Sequence, residues 1–544
     1  MSFSLFPCTR QAPQQVLTDH VTTVGYFDDT LVFTTFVMST MFVFPAQLDA
    51  EKLHDALKRV VCRPGWNKLT ARLRRNDKGP LEHHIPQSFS EDRRPITFDH
   101  VNHCDMLIKE HPAGSRIPRP PSDGNPAVVG NPDDFLKLVD GPKIPEGLND
   151  YLYSDRSELG LCIVSFKDST VVVLHWIHLA FDAMTLGFLL EAWRLALEGK
   201  DDQIAEPFPL DTYPLEDLGK SPQESHVLAD RRMSVSGIAF WVLRNIYRLV
   251  FRRKEHRMVC VPHEFLKKLR EDALEELKEL DDGTTAKIPK EEPFLSDGDV
   301  LIAWFTRLSL SNFPDSKRLV AVQQAYDWRR VLEDLLPSNK PFLCNCVGFL
   351  VTLMPVSDIL KKPLSHLALA IRRSIIEQRT RKQVEAYSSF VRQDLRTKSP
   401  PLFGCPSMWL LMFSNWKKAN MHGVNLSGAA VHPRNEPLFP SYVQTVQGPY
   451  NFTDGIIILG KDQEDNYWLS GYKPQGEWDA LERQMKGDSR GQRAWVTQLA
   501  QTGLSLVLRR FTSSCFRGFP WAIGSLLLVS SLRWRQTFAV GCGK

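Results

Sequence analysis

The sequence lacks every regular cysteine pattern that would indicate a metal site or a disulfide framework. Its ten cysteines include no Cys-x-x-Cys pair and no constant spacing. We therefore predict no bound metal and reduced thiols, as is usual in the cytosol. The cysteines are Cys8, Cys62, Cys104, Cys162, Cys260, Cys344, Cys346, Cys405, Cys515 and Cys542.

Charge excess and long apolar runs are missing as well. The formal net charge is +4 over 544 residues, and no basic stripe with interleaved aromatics is present, so a nucleic-acid partner is not expected. The N-terminus has no basic region followed by an apolar run, as a secretory signal would. The apolar run at 519–532 falls short of the roughly 20 residues that span a bilayer. These absences predict a cytoplasmic protein without a membrane span.

Alternating strand and helix patterns fill the sequence and predict an α/β fold with two sheet-plus-helix domains. At roughly 100–200 residues per domain, the length allows two to four domains. We place an N-terminal domain at 1–215, a linker at 216–257 and a C-terminal domain at 258–495. The tail at 496–544 is atypical and is expected to be disordered or, at most, an interfacial anchor.

The stretch Leu161 to Leu197 carries the candidate chemistry. Two apolar runs flank Asp168-Ser169, which predicts a hairpin, and the second run is apolar on both faces, as in a buried strand. This strand is followed by His178, with Asp182 one turn further on and a leucine-rich helix behind it. A histidine there can act as a general base, although a core histidine with a supporting carboxylate explains the spacing about equally well.

Two further observations bear on this pair. The same His-x-x-x-Asp spacing recurs at His226 and Asp230, in a charged stretch with no buried strand before it, so the bare pattern is weak. His175 lies three residues before His178, and residues three apart on a strand point to opposite faces. We expect His175 to pack on the other face.

The run from Thr170 to Met184 resembles the HxxxD signature of the BAHD acyltransferases, closest to their fungal trichothecene-acetyltransferase-like branch. Three later blocks fall in the family's order: 295–304 at the opening of its second domain, 326–330, and 345–349. The family's DFGWG motif is degraded here, because Asn425, Leu426 and Ser427 stand in place of Asp, Phe and Gly. Condensation domains carry two consecutive histidines at the signature, whereas Ile177 precedes His178.

The resemblance implies two chloramphenicol-acetyltransferase-like domains, each a mixed sheet with helices, and an active-site tunnel between them. It implies a monomeric acyltransferase that moves an acyl group, expected to be acetyl, from acyl-CoA to the hydroxyl of a small apolar metabolite such as a terpenoid or polyketide. His178 would be the general base of a direct transfer without an acyl-enzyme. Asp182 would pair with an arginine and support the loop, and Arg329 is the candidate partner. Acyl-CoA would be a co-substrate, with no bound cofactor.

Two alternatives stay open. One is a non-catalytic ligand-binding or regulatory relative that keeps the fold, which the degraded block favours and the intact His178–Asp182 pair disfavours. The other is an N-acyltransferase. The residues that contact CoA are not predicted: the basic groups at 252–254, 257 and 267–268 are interpreted mainly as a solvated face. His83 and His84 are interpreted as an exposed loop pair rather than a metal site.

Overall fold

Three β-sheets and the helices around them make up the computed structural model, which describes residues 11–139, 144–281, 294–313, 315–394, 398–448 and 454–486. The predicted tail at 496–544 lies outside the described residues. Among the described residues the strands are β1 His20–Thr23, β2 Val37–Phe44, β3 Arg72–Arg75, β4 Leu81–Ile85, β5 Thr97–His103, β6 Ala127–Gly130, β7 Leu159–Phe166, β8 Thr170–Ile177, β9 Lys254–Val261, β10 Leu319–Asp327, β11 Val347–Pro355, β12 Trp409–Asn415, β13 Tyr442–Gly448, β14 Asp454–Lys461 and β15 Tyr467–Pro474.

The helices lie between these strands, as the alternating pattern predicts. They are α1 Leu31–Thr35, α2 Ala50–Val61, α3 Leu148–Leu152, α4 Ala183–Leu197, α5 Val235–Ile246, α6 His263–Asp281, α7 Asp297–Leu310, α8 Val356–Lys361, α9 Leu364–Gln378, α10 Arg381–Gln393 and α11 Glu477–Met485. The mixed α/β class predicted from the sequence is confirmed. The charged helical pattern at 365–391 forms two helices, α9 and α10, because the chain breaks between them and Thr380 caps the second.

The first large sheet has the order β13-β2-β8-β7-β5. All residues of β2, β7 and β8 are buried, because these strands are apolar on both faces and lie inside the protein. The hairpin predicted around Asp168-Ser169 is present as the antiparallel pair β7–β8. It places the end of β8 in the middle of a buried sheet.

The second large sheet has the order β11-β10-β12-β14-β15-β9-β6. Each large sheet takes one edge strand from the opposite half of the sequence. β13, from the C-terminal half, pairs with β2, and β6, from the N-terminal half, pairs with β9. The described residues belong to one compact unit, and the boundaries at 215, 257 and 495 stay a prediction.

Helix α4 connects the first sheet to the second half of the chain. Its predicted apolar positions are all buried, and the Trp193 indole donates to the carbonyl of Leu53 in α2. Gly187 lies against the backbone of Ala419, where a Cβ atom would approach to 3.1 Å. A glycine at this position lets α4 lie close to the turn at 417–419, and this contact joins the candidate site to the second sheet.

No helix among the described residues has both the length and the apolar character needed to cross a membrane.

Candidate active site

His178 is the first residue after β8, and the sheet itself fixes its position. Its backbone N–H donates to the carbonyl of Phe36 at 2.8 Å, which continues the β2–β8 ladder one residue beyond the Val37–Ile177 pair. The imidazole stacks on the ring of Phe33, with 4.6 Å between centroids and 23° between planes. Nδ1 is buried, whereas the side chain as a whole is only half-buried. The ring is therefore held in one place, and the residue as a whole keeps part of its surface exposed.

Burial sets the protonation of this ring. It lowers the pKa of His178 below 6.5, against the opposing influence of its own carbonyl, the charge of Asp182 and the amide of Asn345. The imidazole is therefore neutral at pH 7, which is the form that accepts a proton.

The five residues from His178 to Asp182 form a tight turn. The N–H of Ala180 donates to the carbonyl of Ile177 at 2.9 Å. The indole of Trp176 donates to the carbonyl of Phe181 at 3.1 Å, and the two rings stack at 4.8 Å. These contacts return the chain sharply from the strand to α4.

Asp182 caps α4. Its Oδ1 accepts the N–H groups of Met184 and Thr185, each at 3.1 Å, and its Oδ2 accepts the N–H of Cys346 at 2.9 Å. The carboxylate is almost fully buried. Desolvation would raise its pKa, but the charge and hydrogen bonds of Arg329 prevail, so the pKa of Asp182 lies below its ordinary value. Asp182 is consequently ionised and directed at the backbone and at Arg329.

The predicted partnership of Asp182 with Arg329 is confirmed. Nη1 donates to Oδ2 at 2.8 Å and Nη2 donates to Oδ1 at 3.1 Å, so the pair is bidentate. Nη1 also contacts Asp327 at 3.0 Å, and Nη2 donates to the carbonyls of Phe342 and Cys344. The guanidinium thereby fastens the loop after β8 to the segment between β10 and β11.

Asn345 makes a second link between the two halves, which the sequence did not single out. Its amide Nδ2 donates to the carbonyls of His178 at 3.0 Å and Leu179 at 3.3 Å. Both this Nδ2 and the backbone N–H of Asn345 donate to Oδ1 of Asp28. Asp28 is fully buried, which raises its pKa. The backbone of His178 is thus held from the C-terminal half of the chain.

Lys68 supplies a third link. Its Nζ donates to the carbonyl of Leu343 at 2.5 Å, reaches that of Ala180 at 3.4 Å, and contacts Sγ of Cys344 at 2.8 Å. Nothing in the sequence around Lys68 indicates this role, because the three partners lie more than 100 residues away. The loop at 178–182 is therefore held against the segment 342–346 by contacts of three side chains, those of Arg329, Asn345 and Lys68.

One cavity among the described residues includes Arg329 in its lining. It measures about 500 Å³ and is lined by Met184 and Phe188 of α4, by Asp327 and Arg329, and by the turn at 418–424. His178 is not among its described lining residues. The predicted tunnel past His178 therefore stays a prediction.

Comparisons with known proteins match nearly the whole chain. The transcriptional regulator calD of Penicillium decumbens is 34% identical, over 88% of this chain and 97% of its own length. The acetyltransferase sphE of Aspergillus fumigatus is 32% identical over 89% and 98%. The acetyltransferase adrJ of Penicillium rubens is 31% identical over 87% and 97%. No protein-family model matches.

Solved structures share the fold at low identity. TRI101 of F. sporotrichioides, complexed with coenzyme A and T-2, has a TM-score of 0.60 at 15% identity, over 87% of this chain and 98% of that one. Vinorine synthase has a TM-score of 0.53 at 13% identity, over 87% and 94%. The chain belongs to a family of fungal acetyltransferases and O-acyltransferases, and it shares the fold of TRI101 and vinorine synthase. It is an acyltransferase with their two-domain α/β fold.

In this acyltransferase the degraded family motif at 424–429 has a structural role. The side chain of Asn425 accepts the N–H groups of Ser427 at 3.0 Å and Leu438 at 2.8 Å. The carbonyl of Ala429 accepts the N–H of Asp49, next to α2. Asn425 therefore fixes the turn, although the family's Asp, Phe and Gly are replaced.

His175 and His226 have structural roles. His175 is buried, lies where Gly160 leaves room for its ring, and has its pKa lowered by burial to about 3. β8 extends to Ile177, which supports the expected opposite faces for His175 and His178. His226, of the chance duplicate, is buried and stacks on Phe403.

The interpretation of His83 and His84 as an exposed loop pair is wrong. Both lie in β4 and are buried, and Nδ1 of His83 contacts Oε1 of Glu158 at 2.7 Å. β4 is the central strand of the small sheet β1-β4-β3 and pairs with a strand on each side. No cluster of metal ligands is present among the described residues.

Proposed function

We propose that the protein is a CoA-dependent O-acyltransferase, expected to transfer acetyl, with His178 as the general base. The acceptor is a hydroxyl of a small apolar secondary metabolite such as a terpenoid or polyketide. The observation that carries the proposal is the difference between the two side chains of the loop, Asp182 and His178. Asp182 is wholly engaged with Arg329 and three backbone N–H groups, while His178 presents a neutral, positioned imidazole.

The reaction needs one proton acceptor. A neutral His178 removes the proton of the acceptor hydroxyl as its oxygen attacks the thioester carbon. The tetrahedral intermediate then expels the CoA thiolate, which takes the proton back from the imidazolium. The new ester bond forms as the C–S bond breaks, so no acyl-enzyme is required. The protein is proposed to act as a monomer in the cytosol.

Acyl-CoA brings phosphate charges, and one basic cluster fits them. Arg270 and Lys461 flank the carboxylate of Asp297, at 3.1 and 3.6 Å, where α7 begins. The hydroxyl of Tyr467 donates to Asp297, and Lys417 donates to that hydroxyl at 3.2 Å. Lys461 also pairs with Asp465 at 3.3 Å, so three cations lie near two carboxylates, and the N-terminus of α7 adds further positive potential.

The position of Lys417 connects this cluster to the loop. Lys417 begins the turn at 417–419, which packs on α4 at Gly187. A CoA molecule with its phosphates at the cluster therefore begins beside the helix that Asp182 caps. The basic run at 252–254 fits less well, because Lys254 is partly buried and its pKa is lowered to about 8.

Replacing Lys417 with Ala tests the phosphate cluster. We expect a rise of about tenfold in KM for acetyl-CoA, because a charge-assisted hydrogen bond is lost, and no change in KM for acetyl-pantetheine, which lacks the nucleotide phosphates. Lys267→Ala is the matched control, since that exposed lysine contacts only Glu264. Equal effects on both thioesters would contradict the cluster.

Thiol release from acetyl-CoA tests the base. A panel of hydroxylated terpenoids and polyketides, with amine counterparts, should release thiol only with the hydroxyls. His178→Ala should lose about 10²–10⁴ in turnover, whereas His432→Ala, at an exposed histidine, should keep it. Wild-type turnover by His178→Ala would refute the assignment, and thiol release with amines alone would favour the N-acyltransferase alternative.

A second candidate is a regulatory protein that keeps the fold. The observation that favours it is the name of the 34% identical relative, a transcriptional regulator. The same assay separates the two. A regulatory protein would release no thiol above the His178→Ala background with any member of the panel.

A further inference from the structure

An exposed apolar stripe runs along α5 and the π-helical turn Tyr247–Phe251 that follows it. The exposed fractions are 64% for Phe240, 63% for Leu243, 41% for Tyr247 and 69% for Phe251. Residues 240, 243 and 247 are spaced three and four apart, so they share one helix face. The spacing makes this a continuous stripe rather than scattered surface residues.

The opposite face of the helix is fixed to the protein, so the stripe cannot turn inward. The indole of Trp241 is buried and donates to the carbonyl of Met408 at 3.2 Å. Arg248 forms ion pairs with Asp454 at 2.7 Å and Glu477 at 2.8 Å. The helix is therefore anchored on one side and presents aromatic and leucine side chains on the other.

Positive charge accompanies the stripe. Arg244 is exposed and lies one helical turn from both Phe240 and Tyr247, and Arg253 is exposed just beyond Phe251. Neither guanidinium has a carboxylate partner within 4.0 Å among the described residues, in contrast to Arg248. Exposed aromatics interleaved with uncompensated arginines are typical of helices that lie in a membrane interface.

We propose that this face, defined by Phe240, Leu243, Tyr247 and Phe251 with Arg244 and Arg253, docks on an anionic lipid surface. The apolar side chains enter the boundary between headgroups and acyl chains, and the two arginines contact lipid phosphates and carboxylates. The helix lies on the membrane and does not cross it. The proposal does not rest on the acyltransferase chemistry, although an apolar acceptor would also be concentrated in that membrane.

A lipid surface fits this face better than a protein partner does. No acidic side chain among the described residues lies within 4.0 Å of its two arginines. A lipid headgroup layer supplies dispersed negative charge that needs no matched geometry. Binding should therefore depend on anionic lipid and weaken with salt.

Vesicle co-sedimentation of the full chain tests the proposal. Phosphatidylcholine vesicles with 30% phosphatidylserine, on the order of the anionic fraction of a cytoplasmic leaflet, are compared with pure phosphatidylcholine. We expect binding to the mixed vesicles, and at least about tenfold weaker partitioning of the double variant Phe240→Ser with Leu243→Ser. Arg244→Gln with Arg253→Gln should weaken it by about fivefold per arginine at low salt. Ile376→Ser is the matched control, because Ile376 is 64% exposed elsewhere and should have no effect.

Each other outcome overturns the proposal. If wild type ignores anionic vesicles, the stripe does not bind lipid. If the Phe240/Leu243 variant binds as tightly as wild type, another segment, such as the apolar run at 519–532, binds the membrane instead. If wild type is a dimer by light scattering and this variant is a monomer, the stripe is a protein interface. An unchanged melting temperature and thiol release in all variants show that folding and the active site are intact.

Discussion

Replacing Asp182 with Asn removes one negative charge from a buried, doubly bonded ion pair. Arg329 would keep the carbonyls of Phe342 and Cys344 and the carboxylate of Asp327, and Nη2 would keep Oδ1 as its acceptor. The oxygen that accepts from Nη1 would become a donor NH₂ group, so this bond is lost together with the negative charge. The cap of α4 would be largely preserved, because Asn is about as good an N-cap residue as Asp. The perturbation is therefore confined to the ion pair and to the backbone N–H of Cys346, which loses its acceptor.

The expected loss in the free energy of unfolding is about 3 kcal/mol. Removing one partner of a buried pair costs about 3–5 kcal/mol, since the other charge stays buried and uncompensated. The side chains of Asp182 and Arg329 are only 3% and 10% exposed, so solvent screens little of this. Asp327, 19% exposed and 3.0 Å from Nη1, offsets a part of the loss, which favours the lower end of the range.

Urea unfolding at pH 7, with thiol release measured in parallel, checks this expectation. Stability and turnover should both fall, because the contacts that hold the loop loosen. The double variant with Arg329→Gln is the control: its loss should be smaller than the sum of the two single losses by about 1–3 kcal/mol, since the charges are coupled. Lost turnover at unchanged stability would refute the supporting role and would implicate Asp182 in proton transfer.

The pH dependence gives an independent check of sign. The pKa of Asp182 is lower folded than unfolded, so its ion pair contributes full stability above the ordinary carboxyl pKa of about 4. That contribution is lost as the pH falls through the folded value. The difference in the free energy of unfolding between wild type and Asp182→Asn should therefore be constant near neutrality and should disappear below pH 4.

Two further predictions concern the loop. Because burial lowers the pKa of His178, the acid limb of the kcat/KM profile should lie below pH 6.5. The variant Phe33→Ser admits water beside the ring and should move this limb to higher pH. An unmoved limb would contradict burial as the cause of the lowered pKa. Lys68→Met leaves the carbonyls of Ala180 and Leu343 unpaired, so urea unfolding should show a free energy of unfolding that is lower by about 1–3 kcal/mol. Steady-state kinetics should show a lower kcat with little change in KM. A changed KM alone would contradict a positioning role.

The elements that the sequence predicted well are those with local signals. The buried strand before His178, the hairpin at Asp168-Ser169 and the leucine-rich helix follow from the apolar patterns, turn residues and helical spacing. The pairing of Asp182 with Arg329 came from the family resemblance, because 147 residues separate the two, and the structure bears it out.

What the sequence could not predict depends on contacts between distant segments. Lys68 and Asp28 have ordinary surroundings in the sequence, and their roles arise only because the chain brings 342–346 against the loop. The exchange of edge strands is invisible for the same reason, since β6 and β13 look like strands of their own halves. His83 was misjudged because burial of a short, polar-looking strand depends on its partner strands.

The contacts that hold the loop and the proposed base, His178, are evidence for different properties: the first for stability and the second for catalysis. The loop is held to the second half of the chain by Arg329, Asn345 and Lys68. These contacts stabilise the fold independently of catalysis. A regulatory relative could keep all three. His178 differs, because no described contact requires its imidazole to be basic and the residue as a whole keeps part of its surface exposed. The decisive comparison is therefore between His178→Ala and Asp182→Asn: a catalyst loses turnover without stability in the first variant and loses both in the second.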